Sequence, residues 1–89
     1  MKEKNSENKI NPYLLNLISM FASSVWCQLG KVPNPVDKKI TKDLKSAKLT
    51  IDMLIMLKNK MHGNLTSEEE KLLNSTISDL EMNYVNEIK

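Results

Sequence analysis

Two glycines and three prolines punctuate this chain of 89 residues, and their positions leave room for three helices. In "INPYLL", Asn11 is a good N-cap and Pro12 falls at the first helical position, where its missing N–H costs nothing. Leu14, Leu15, Ile18, Phe21, Ala22, Val25 and Leu29 then recur every three or four residues, the spacing of one helical face. Gly30 suits the left-handed residue that ends a helix, and Pro33 and Pro35 forbid continuation. Helix one is expected over about 12–29.

The second helix is expected to start between Asp37 and Thr41 and to run over about 38–62. Its main stripe is Ile40, Leu44, Ala47, Ile51, Leu54 and Met61, with Lys38, Lys42 and Lys45 on the opposite side. Gly63 suits a left-handed C-cap, and Thr66 opens helix three over about 66–88. In "TSEE" the Thr66 hydroxyl can accept from the Glu69 N–H while the Glu69 carboxylate returns to the Thr66 N–H, a capping box. Glu68, Glu69 and Glu70 all fall in a first turn, where the helix dipole favours negative charge. Leu73, Ile77, Leu80, Tyr84 and Ile88 form the apolar face of this helix. The short turn makes helices two and three an antiparallel hairpin. Residues 1–10 lack periodicity and read as a disordered arm, leaving 11–89 as a single all-α domain.

One segment does not fit a simple three-helix domain. In "LTIDMLIML", residues 49–57, Leu49, Met53, Met56 and Leu57 occupy the side that lysines cover earlier in the helix. A helix apolar all round must be buried all round. Three short helices cannot enclose one of their number, so this second face is expected to meet another chain, most simply in a homodimer formed with helix one.

Other classes of function find less support. There is a single cysteine, so no intrachain disulfide framework is available, which suits a reducing cytoplasm. "MKEKNSENK" lacks the apolar stretch of a signal peptide. "YLLNLISMFASSVWCQL" is short and too polar to face lipid. Residues 31–60 carry eight lysines against three aspartates, a net +5, and residues 61–89 a net −4, so the two halves should attract each other, within the fold or between copies. All thirteen basic residues are lysine, so no guanidinium fork exists to grip phosphate or guanine.

Several stretches carry a resemblance: "MFASS" at 20–24, "LGKVPNP" at 29–35, "DLKSAKLTIDMLIML" at 43–57, "GNLTSEEEKLL" at 63–73 and "YV" at 84–85. Together they resemble a family of small bacterial proteins classed as domain of unknown function 1844, over about residues 20–85. The corner with its Gly-Asn-Leu-Thr is the most specific part. "KNKMH" at 58–62 departs from the mixture of acidic and basic residues that the family shows there. The resemblance implies an all-helical, cytoplasmic bacterial protein and carries over no activity, cofactor or ligand.

Residues with chemical potential have structural readings beside them. His62 stands alone without a partner at metal-ligand spacing and reads as a surface residue at the end of helix two. Cys27 reads as a buried small residue rather than a nucleophile. Asp52 either pairs with Lys48, sits at a solvent gap or fixes an interface. Ser19, Ser23 and Cys27 form a stripe of small side chains suited to close helix packing, with a solvent-facing strip or a ligand groove as alternatives. Met20, Met53, Met56, Met61 and Met82 read first as core gap-fillers and second as an adaptable surface.

The reading is a non-enzymatic interaction or self-assembly module without cofactor or metal, its interface drawn from Ser19, Ser23, Trp26, Leu49, Asp52, Met53, Met56 and Leu57. The alternative is weak binding of nucleic acid or a membrane surface through Lys38, Lys42, Lys45 and Lys48.

Overall fold

In a computed structural model, which describes residues 9–88, the chain forms three α-helices and no strand among those residues. They are α1 (Pro12–Gln28), α2 (Leu44–Lys60) and α3 (Ser67–Ile88). The arm expected over 1–10 lies outside the described residues up to residue 8. Lys9 is already in place, its carbonyl accepting from the Thr66 hydroxyl at 2.8 Å.

Helix α1 begins as its sequence dictates. The Asn11 side-chain oxygen accepts from Tyr13 N at 2.8 Å and Leu14 N at 3.4 Å, with Pro12 beside it. It ends at Gly30, whose φ of 78° is the left-handed conformation that frees the chain to turn. The Lys31 N–H closes the end by donating back to the Trp26 carbonyl at 2.9 Å.

Helix α2 starts six residues later than the expected 38. Asp37 does not cap a helix; its carboxylate accepts from Lys39 N at 3.0 Å, and Lys38 takes φ 61°. The N-cap is Asp43, whose side chain accepts from Ser46 N at 3.1 Å and from the Ser46 hydroxyl at 2.8 Å. These bonds hold the Asp43 carboxyl below its ordinary pKa, because they favour the ionised form. The backbone of Asp43 is itself fastened, its N–H donating to the Gln28 carbonyl at 2.7 Å.

The core is drawn from all three helices. Val25, Leu29, Leu54, Leu73 and Leu80 are its largest fully buried side chains, joined by Ile18, Ala47, Ile51 and Ile77. Burial of each large aliphatic contributes about 1.5–3 kcal/mol. Leu15, Ile40 and Ile88, expected on apolar faces, are instead exposed. Ile40 lies ahead of α2, Leu15 at the edge of the α1 face, and Ile88 in the last turn of α3. Among the described residues no helix is long and apolar enough to cross a membrane.

Candidate functional site

Helix α2 turns Ala47, Ile51 and Leu54 inward. At 100° per residue its opposite side carries Lys45, Leu49, Met53, Met56 and Lys60, with Asp52 on the flank towards α3. Leu49 is 60% exposed and Met53 and Met56 are each 46% exposed, whereas Leu57 is half-buried. The second apolar face expected from "LTIDMLIML" is thus present, and α1 and α3 leave it uncovered. Asp52 pairs with Lys48 at 2.9 Å, one turn away and in solvent. The pairing raises the Lys48 pKa, since the carboxylate favours the charged amine.

The interface residues expected on α1 do not join this face. The Gln28 amide nitrogen turns to α2 and donates to the Thr50 hydroxyl at 3.0 Å, while that hydroxyl donates its single proton to the Ser46 carbonyl at 3.0 Å. Ser19 lies nine residues before Gln28, half a turn round the helix, and so points away from α2. Ser19 and Ser23 are exposed, and Trp26 is half-buried against the core. Cys27 is half-buried rather than buried as expected, bordering an open hollow against the α1–α2 connection with its Sγ 3.7 Å from the Pro33 carbonyl. The small-residue stripe is therefore no helix-packing seam. Nor do the methionines fill the core: Met20, Met53, Met56 and Met82 are exposed, and only Met61 packs against it among the five considered.

The lysine face is taken apart by the late start of α2. Lys38 and Lys42 lie ahead of the helix. Lys42 reaches Glu87 at 2.7 Å, and Lys31 reaches the other oxygen of the same carboxylate at 2.8 Å. These two ammonium groups hold the Glu87 carboxyl down at a pKa of about 2. Lys48 is occupied by Asp52, which leaves Lys45 alone of the four on the outer face.

The α2–α3 corner holds the residue that the sequence undersold. Glu69 is 6% exposed and is the buried charged side chain of the core. One oxygen accepts from Thr66 N at 2.8 Å and the Thr66 hydroxyl accepts from Glu69 N at 3.1 Å, completing the capping box. The other oxygen accepts from Asn11 N at 2.7 Å. One carboxylate therefore satisfies backbone donors at the starts of two helices, α1 and α3. The capping box was legible in "TSEE"; the reach to Asn11, across 58 residues, leaves no local signal.

Open concavities line both ends of the α2–α3 flank. One, about 160 Å³, lies at the corner beside His62, Gly63, Leu65 and Glu70. A second, about 460 Å³, is a shallow groove formed by Lys45, Leu49 and Tyr84 beside the Lys48–Asp52 pair. Among the described residues no group of three His, Cys, Asp or Glu side chains is placed to hold a metal ion.

The model of the family described as "Domain of unknown function (DUF1844)" matches residues 11–86. No curated protein and no solved structure matches the chain.

Proposed function

We propose, from the premise that this chain belongs to the DUF1844 family, that it is a non-enzymatic protein-interaction or self-assembly module acting through the outer face of α2. The observation that carries the reading is the exposure of Leu49, Met53 and Met56 on one side of a regular helix. Scattered exposed apolar residues are ordinary; three in helical register on one face form a docking strip. The flexible thioethers of methionine suit a surface that adapts to what it meets. A bacterial cytoplasm suits the reading, since a single cysteine offers no disulfide framework. Nucleic-acid or membrane-surface binding has less behind it, with Lys42 and Lys48 engaged by carboxylates and Lys38 off the helix.

Replacing Leu49 by Ser and both Met53 and Met56 by Gln tests the surface directly. These side chains stand outside the core, so the melting temperature should stay within about 2 °C of the parent. Association should be lost, read as molar mass by light scattering and as proteins retained from a bacterial extract on the immobilised chain. Undiminished association by the folded triple variant would sink the reading.

A further inference from the structure

We propose that the outer face of α2 is covered by a second copy of this chain, in an antiparallel pair whose twofold axis passes beside Met56 and sets Asp52 of each copy against Lys60 of the other. The proposal rests on the reading of that face as a docking surface and adds the partner and the register.

The order of residues along the face selects among the arrangements. From its N-terminal end the strip reads Lys45, Leu49, Asp52, Met53, Met56, Lys60. A parallel pair would set every charge against its own kind, Asp52 on Asp52 and Lys45 on Lys45. Three antiparallel registers deserve comparison. With the axis between Asp52 and Met53, Leu49 meets Met56, but Lys45 faces Lys60 at both ends. With the axis between Lys48 and Leu49, Asp52 meets Lys45, but Met53 and Met56 fall opposite residues 44 and 41, at and beyond the start of the partner's helix, and stay bare.

With the axis at Met56 the charges agree, and Met53 falls level with Asn59. Met56 packs on Met56, and Asp52 meets Lys60 twice. Leu49 comes level with Gly63, around whose missing side chain there is open space, with no atom within 4 Å of where a Cβ would stand. The hollow of about 160 Å³ beside Gly63 and Leu65 lies on the α2–α3 flank, between Lys58, Asn59, His62 and Glu70, so Leu49 packs on the open surface over Gly63 rather than into a socket. Lys45 then passes the end of the other α2 and comes over the corner that carries Glu68 and Glu70. Each charged residue of the strip faces its opposite, and the positive and negative halves of the chain complement each other between copies. Asp52 and Lys60 cannot make this pair within one chain, being eight residues or about 12 Å apart along the helix.

A strip of six residues falls short of the roughly 20–30 residues and 800 Å² per partner of a standard interface, so association should be reversible. Sedimentation of the full chain from about 1 µM to about 1 mM, a range set by that area, should show a monomer–dimer equilibrium. Asp52→Lys and Lys60→Asp should each weaken it about tenfold, because the twofold axis sets each like-charge contact twice. The double variant D52K/K60D should return to within about threefold of the parent. Loss of the Lys48 pair alone predicts no such rescue. In a Cys27→Ser background, Met56→Cys should oxidise to a linked dimer, being on the axis, whereas Leu49→Cys should not. Circular dichroism checks that each variant folds, and the Met56→Cys link tests the register even where a charge variant does not. A dimer with neither rescue nor a Met56 link overturns the register and leaves the docking surface standing. A monomer throughout the range overturns the second copy as partner. The docking surface then stands or falls separately, by whether the triple variant loses proteins retained from the extract.

Discussion

The connection between α1 and α2 occupies residues 29–43 and the one between α2 and α3 only 61–66, yet both perform the same reversal. The short corner is closed by hydrogen bonds to backbone groups: Asn64 N to the Met61 carbonyl, the Thr66–Glu69 box, and the second Glu69 oxygen on Asn11 N. The long connection folds on itself through Asn34, whose side chain accepts from Val36 N at 2.8 Å and whose carbonyl accepts from Lys38 N at 2.7 Å. It is then tied to α3 by Lys31 and Lys42 on Glu87, in contact with solvent. A buried carboxylate holding amides and a half-buried carboxylate holding exposed ammonium groups should answer differently to mutation, salt and acid.

The largest effect is expected at Glu69. Truncation to Ala leaves the N–H groups of Asn11 and Thr66 without their acceptor in a half-buried site, a loss of about 2–3 kcal/mol. Glu68→Ala and Glu70→Ala remove only a dipole interaction at exposed positions and should each cost less than about 1 kcal/mol. Urea unfolding measures all three. Equal losses would mean that neither the Asn11 contact nor the return bond to Thr66 N contributes beyond the helix dipole.

Next in size are the two glycines, one in each connection. Gly30 sits at φ 78° and Gly63 at φ 88°. A Cβ on Gly30 would approach nothing nearer than the Thr41 carbonyl at 3.5 Å, an ordinary contact, and one on Gly63 would meet open space. The penalty for Ala is therefore conformational in both places, about 1–2 kcal/mol, and should agree between them within about 0.5 kcal/mol. A much larger loss for Gly30→Ala would show that the long connection is packed more tightly than its geometry implies.

The same contrast separates what could be read in the chain from what could not. Asn11–Pro12, Gly30, Gly63 and the Thr66–Glu69 box act on neighbours within four residues, so α1, α3 and the hairpin were legible. The all-round apolar stretch at 49–57 likewise announced an outer face on α2, because helical period alone puts Leu49, Met53 and Met56 opposite Ala47, Ile51 and Leu54. The start of α2 was not legible. Asp37 and Asp43 are both fit to cap, and Ile40 extends the apolar stripe, so local pattern favours the earlier aspartate. The choice of Asp43 accompanies a bond from its N–H to Gln28, on another helix. The dispersal of the lysine face follows from that choice, and the small-residue stripe of Ser19 carries no signal of where the neighbouring helix lies. Long-range partners accompany the start of α2, through Asp43 on Gln28, and the place of Lys42, through Glu87.

Glu87 gives the smallest of the three effects and the one that depends most on conditions. Its carboxyl titrates at about 2 in the folded chain against an ordinary 4.5, so the folded state binds the proton more weakly than the unfolded state. The stabilisation from the clasp is therefore fully present above about pH 4.5 and is lost progressively as the pH falls from there through about 2. Glu87→Gln removes the charge while keeping the shape. The melting temperature of the parent should exceed that of the variant at neutral pH, and the gap should close on acidification across that window. Because Lys31 and Lys42 approach from solvent, the gap should also shrink in about 1 M salt, where screening reaches within about 3 Å. The loss at Glu69→Ala, made of hydrogen bonds to amides in a half-buried corner, should persist in the same salt. A Glu87 gap insensitive to salt would place the clasp with the short corner and erase the contrast between the two connections.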